Sequence, residues 1–215
     1  MKFSMLRKEL KAVSRFATVK DIRHYLNGVH IVQNNRGTYL EATNGHMAAR
    51  FLILDQPMPC ASIILGNDAI KTLTAAGKKG DEWLHFTVEG LSIEVITGSD
   101  KYTFTAVEGN FPDIDRIVPP ALKAEDESPA GFNPAYLMAF QDAANDIRGN
   151  KKGAISTVSV LHRGNSAAIV NNGIDNFFGV IMPLRDMNRA TVPNWNYKPK
   201  TLENAPVAED QPVTA

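Results

Sequence analysis

The chain is expected to fold as an α+β protein built on a repeat: a short strand, a helix, then about three antiparallel strands. Two observations predict this. Helical periodicity opens near residues 4, 67 and 133, a period of roughly 65 residues. Between those openings the apolar period changes to two, the mark of half-buried strands.

Each element has its own signal. In the first helix Leu6, Leu10 and Val13 recur at four- and three-residue steps, with Ser4 as the expected cap. The second runs from Asn67, with Ile70 and Leu73 facing inward and Gly77 ending it. Pro134 at the first helical position opens the third behind Asn133, and its apolar stripe is Tyr136, Phe140, Ala143, Ala144 and Ile147. "WLHFTVEGLSIEVITG" (83–98) reads as a hairpin turning at Glu89-Gly90, with Leu91, Ile93 and Val95 on one face. "KYTFTAV" (101–107) continues it with Tyr102 and Phe104 in step, and 154–173 and 176–185 repeat the scheme after the third helix. Asn-Gly pairs at 27–28, 44–45 and 172–173 mark turns or bulges. Residues 108–131, rich in Pro and acid, read as a connector, and the stretch after Arg185, with four prolines and little periodicity, as a flexible or draped tail.

Composition removes several function classes. At 44% hydrophobic and 21% charged, the 215 residues are those of an ordinary globular protein. Net charge is zero, so any attraction to nucleic acid must come from how charge is distributed. Cys60 is alone, which excludes an internal disulfide and suits a reducing compartment; a small buried residue is its expected role. "MKFSMLRKEL" places charges where a signal peptide needs an apolar core, and no apolar run reaches bilayer length, so a cytoplasmic protein with no membrane partner is expected. The five histidines (24, 30, 46, 85, 162) show no HExxH or paired Cys/His spacing. Asp113 and Asp115 in "FPDID" lack further ligands, and there is no phosphate-cradling loop and no GxSxG. No metal, cofactor or enzymatic activity is expected.

Five phrases are more specific. "DIRHYLNGVHI" (21–31), "LEATNGHMAARF" (40–51), "EGNFPDIDRIVP" (108–119), "GFNPAYLMAF" (131–140) and "GVIMPLR" (179–185) occur in this order. Together they resemble the bacterial DNA polymerase III β subunit, the β sliding clamp family, over about residues 1–185. The resemblance implies the DNA-clamp fold, repeated βαβββ units with helices on one face of antiparallel sheets, and a processivity factor that encircles duplex DNA. It also exposes a departure. Residues 1–118 match one complete domain, residues 119–185 a connector plus half of another, and 186–215 the Pro-containing tail. A half-domain leaves a sheet edge to be paired or covered. Self-association into a ring, of roughly four chains with three units each, or capping by the tail, is therefore expected.

Candidate DNA contacts come first from the helices. Arg7, Lys11 and Arg15 stand at four-residue steps opposite the apolar positions, flanked by Lys8, and Lys71 sits on the second helix. Such cations suit phosphate contact without sequence readout. The resemblance adds a DNA-contacting loop that aligns with "KDIRHY", hence Lys20, His24 and Tyr25, with His24 standing where the family usually has an aromatic.

The resemblance further implies a pocket for short peptides of polymerases and clamp loaders. Its matching positions are Leu26, Thr43, Gly45, His46, Met47, Ala48, Pro112, Ile117, Val180, Ile181, Met182, Pro183, Leu184 and Arg185, with Arg23, Tyr25 and Arg185 offering polar contacts at the rim. Aliphatic and Met side chains mould to Leu or Phe anchors, and glycine permits close backbone approach. The expected function is a sliding-clamp-like processivity factor; the alternative is a peptide-binding decoy or regulator of a host clamp that does not encircle DNA.

Overall fold

A computed structural model describes residues 1–75, 79–119, 130–151, 153–162 and 164–184. Its elements run β1 (Lys2–Leu6), α1 (Arg7–Ser14), β2 (Gly28–Asn34), β3 (Gly37–Thr43), β4 (Met47–Leu54), β5 (Ala61–Gly66), α2 (Asn67–Leu73), β6 (Trp83–Glu89), β7 (Ser92–Thr97), β8 (Asp100–Thr105), α3 (Pro134–Arg148), β9 (Ser159–Leu161), β10 (Ala168–Asn171) and β11 (Phe177–Ile181). The helices begin at residues 7, 67 and 134, close to the sequence-derived period. The hairpin forms as expected, with Gly90 left-handed at φ +59°.

Two βαβββ units are complete, and they exchange their first strands. β1 pairs antiparallel with β6 of the second unit, and β5 pairs with β2 of the first. One sheet therefore runs β1-β6-β7-β8, and a seven-stranded sheet runs β5-β2-β3-β4-β11-β10-β9. The third unit enters the larger sheet through β11, which pairs antiparallel with β4. No strand precedes α3 among the described residues, and the expected third copy of that strand is absent from them.

Strand alternation separates an inner from an outer face. On the inner face Ile31, Leu40, Ala42, Ala49, Phe51, Val170, Phe177 and Ile181 join one core with Leu10, Val13 and Phe16 of the α1 region and Phe140 of α3. Phe16 meets Phe140 edge-on at 4.7 Å between ring centroids, and Phe177 touches Phe16, Phe51 and Phe140. These rings tie the third unit to the first. A Cβ on Gly179 would lie 2.2 Å from Phe140 Cε1, so only glycine lets α3 seat this ring on β11.

Two local expectations are corrected. Ser4 lies inside β1 rather than capping α1; Leu6 is the cap residue, and its N–H donates to Glu9 Oε2 at 2.8 Å. By contrast, Asn133 does cap α3, accepting from the Ala135 N–H at 3.0 Å. Cys60 is exposed, because it ends the loop between β4 and β5 instead of entering the core. The expected helix stop at Gly77 and the tail from 186 lie outside the described residues. β5 and β9 are the outer strands of the large sheet among the described residues.

Candidate functional site: an apolar pocket between two units

The turn after β3 forms as its residues dictate. Gly45 takes φ +86°, a conformation that L side chains resist. Asn44 Oδ1 accepts from the N–H groups of His46 and Met47, both at 2.9 Å, and Thr43 Oγ1 donates to the Met47 carbonyl at 2.8 Å. The chain leaving β11 docks on this turn: Met182 N–H donates to the His46 carbonyl at 2.8 Å. Two residues later Leu184 N–H donates to the Gly131 carbonyl at 2.8 Å, and the His46 ring stacks on Tyr136 with centroids 5.9 Å apart.

Beside this junction lies a cavity of about 130 Å³. Its floor is the outer face of the large sheet, where Thr43, Ala48 and Val180 stand in register across β3, β4 and β11. Leu26, Gly45, His46, Met47 and Met182 close its sides, and Pro112, Asp113 and Ile117 come from the connector. Arg23 stands over Gly45, about 3.5 Å from where a Cβ would be. Asp21 orients that guanidinium through bonds from Nε at 3.0 Å and from a terminal nitrogen at 2.8 Å. In return Arg23 holds the Asp21 carboxyl at a pKa of about 2, by side-chain and then backbone hydrogen bonding.

Most of the expected pocket residues meet here, with five exceptions. Ile181 points to the inner face and is fully buried in the core, as period-two alternation beside Val180 requires. Pro183 and Leu184 continue past the cavity without lining it, and Arg185 lies outside the described residues. Tyr25 turns away toward Gly109. Sequence reasoning missed Asp113; its place between Pro112 and Ile117 on the same loop was the available signal.

The expected basic stripe is different from its sequence reading. Arg7 is buried, because α1 begins at that residue directly from β1. Its guanidinium donates to the Leu73 carbonyl, to Glu82 at 2.6 Å and to Thr97 at 3.1 Å. Lys8 pairs with Asp81 at 2.6 Å, and Lys11 with Asp146 at 2.8 Å. Arg15 spans Asp146 at 2.6 Å and Asp142 at 3.0 Å. Arg7 is thus a structural residue, and Lys11 and Arg15 fasten α1 to α3. Lys20, His24 and Lys71 are exposed, and among the described residues none of the three is in an ion pair. No group of three potential metal ligands occurs among the described residues, and no helix there is long and apolar enough to cross a membrane.

The exchanged first strands, the repeated units and the pocket at their junction define the class: this is a DNA-clamp fold. No family model matches the chain. The β sliding clamp of Escherichia coli (strain K12) is 29% identical over 101 residues, 46% of this chain and 28% of that protein. That of Pseudomonas aeruginosa is 30% identical over 120 residues, 54% of this chain and 32% of that protein. The crystal structure of DNA polymerase III subunit β from Pseudomonas aeruginosa superimposes with a TM-score of 0.66 at 21% identity, over 86% of this chain and 66% of that one. The subunit β of Borrelia burgdorferi, in complex with a natural product, gives 0.65 at 14% identity, over 86% and 64%. The chain is a relative of the bacterial β sliding clamps, the DNA polymerase III β subunits. It matches about a third of the length of the relatives compared by sequence.

Proposed function

We propose that the protein is a non-enzymatic, clamp-like processivity factor that docks short peptides of replication proteins in the pocket between its first and third units. The observation that carries this reading is the meeting of Thr43–Ala48, Pro112–Ile117 and Val180–Met182, 63 or more residues apart in sequence, around one apolar cavity. Two methionines and aliphatic walls suit Leu or Phe anchors of varied partners, and Arg23, fixed by Asp21, suits a carboxylate or carbonyl at the rim. Non-specific duplex contact is assigned to Lys20, His24 and Lys71, and the outer strands of the sheets are assigned to pairing between copies in a ring in the cytoplasm. The test is binding of a fluorescent Leu/Phe-anchored peptide by anisotropy. Micromolar binding that Met182→Asp or His46→Glu abolishes, in folded protein, supports the pocket; unchanged affinity rejects it.

One observation favours the second reading, a peptide-binding decoy or regulator that does not encircle DNA. Arg7, Lys8, Lys11 and Arg15 are all occupied by acidic partners within the chain, so the helical face offers fewer cations to phosphates than its sequence implies. Duplex affinity at low salt separates the two, because a clamp retains a salt-dependent affinity and a decoy has none.

A further inference from the structure

The outer face of the large sheet carries a second feature beside the pocket floor. One residue pair along from the Thr43–Ala48–Val180 row, His30, Glu41 and Arg50 stand in register across β2, β3 and β4. All three are polar, and they are linked. His30 Nδ1 lies 3.0 Å from Glu41 Oε2, and Arg50 Nε donates to Glu41 Oε1 at 2.6 Å. Glu41 is only 5% exposed, and its two oxygens are both engaged.

The connector crosses the sheet along this row. Phe111 stacks on the His30 ring with centroids 4.6 Å apart, and Asp115 accepts from an Arg50 terminal nitrogen at 2.6 Å. Ile114, between them, is buried to 1% exposure. Asp113 Oδ1 accepts from the Asp115 N–H at 3.0 Å, closing a turn that presents Pro112, Asp113 and Ile117 to the cavity on the other side. Phe111 and Asp115 are therefore the feet of this segment, and Pro112, Asp113 and Ile117 its working face. Arg50 does not line the cavity.

We propose that Arg50 is a positioning residue for peptide docking: through Asp115, and with the His30–Phe111 stack, it holds residues 111–117 as the pocket's third wall. This rests on the pocket reading above and says what keeps the pocket formed when no peptide is present. The alternative source of order is the connector's own chain, but one short helical turn, Ile114–Ile117, is its only regular structure among the described residues. Burial alone would weaken the charge on Arg50, yet Glu41 and Asp115 outweigh it and raise its pKa, so the guanidinium stays charged. A pocket whose wall is in place for a fraction of the time binds with its affinity reduced by that fraction. If removal of the tie leaves the wall seated about a tenth of the time, the peptide Kd rises about tenfold.

The test compares the full chain with Arg50→Met, which keeps the aliphatic stem, Arg50→Lys, which restores a charge, and Asp115→Asn at the exposed end of the tie. The readouts are anisotropy with the fluorescent Leu/Phe-anchored peptide and amide hydrogen exchange across 109–117. Arg50→Met is expected to raise Kd about tenfold and to speed exchange in 109–117 while leaving β3 and β4 protected. Arg50→Lys is expected to recover part of both, and Asp115→Asn, at a half-exposed position outside the core, to give a smaller loss of the same kind. Binding by Arg50→Met within twofold of the parent overturns the proposal and leaves the pocket reading intact. Weaker binding with unchanged exchange in 109–117 also overturns it. A parent chain that binds no peptide removes both readings together.

Discussion

Gly179→Ala tests the packing that positions the pocket strand. The added methyl would sit 2.2 Å from Phe140 Cε1, 3.0 Å from Cδ1 and 3.1 Å from Cζ. These are ring atoms with no flexible end to swing aside, and Phe140 is held at 0% exposure by Phe16 and Phe177. Either α3 lifts from β11 or β11 bows outward. Overpacking of a closed core costs about 1–3 kcal/mol, and the shortness of this contact puts the change at the upper end, about 3 kcal/mol. For a domain of this size each kcal/mol moves Tm by about 2–4 °C, so a fall of about 6–12 °C is expected in a circular-dichroism melt. Phe140→Leu, which removes the offending ring edge, should cost less in the Gly179→Ala background than alone, with a coupling of at least about 1 kcal/mol. Urea titrations of the four proteins measure this. A Gly179→Ala protein within about 0.5 kcal/mol of the parent, or additive behaviour of the two changes, refutes the assignment of Gly179 as the seat of α3.

Further outcomes follow from the ion pairs and the loops. Arg7→Met should destabilise by about 2–3 kcal/mol in urea unfolding, since it leaves the Leu73 carbonyl and Thr97 hydroxyl without their donor. It should not weaken duplex binding beyond what lost folding explains. Lys71→Glu should lower low-salt duplex affinity and reduce the salt slope by about one, measured by anisotropy on labelled DNA. The Asp21 carboxyl should titrate near pH 2 by carbon NMR, below its ordinary value of 3.8. Because the folded value is the lower one, the Asp21–Arg23 tie is fully present above about pH 4 and is lost as pH falls through 2. A titration midpoint near 4 would show that Arg23 is not held.

Local elements were legible in the sequence, and non-local partners were not. Asn133-Pro134 announced the α3 start because capping and the fixed proline φ are short-range physics. Glu89-Gly90 did the same for the β6–β7 turn. Arg7 was misread because its periodicity is correct for a surface stripe, while its burial depends on Glu82 and Thr97, more than 70 residues away. Asp142 and Asp146 likewise turn Lys11 and Arg15 inward from another helix, and no periodicity in α1 reports them. Ile181 was misassigned for a simpler reason: the alternation that separates it from Val180 was available in "GVIMPLR" and outweighed by the resemblance. Most of the pocket was reachable only through that resemblance, since residues near 45, 115 and 180 share no local signal.

The exchange of first strands has a consequence for synthesis on the ribosome. Phe3 and Met5 find their strand partners at Phe86 and Leu84, so β1 waits for some 80 more residues before its amides are matched. Until then β1 is an apolar ribbon without a sheet, and β2–β4 lack the outer strand that β5 brings later. Neither half can mature ahead of the other. Folding should accordingly be a late, all-at-once event governed by long loop closures, slower than the short helices alone would suggest.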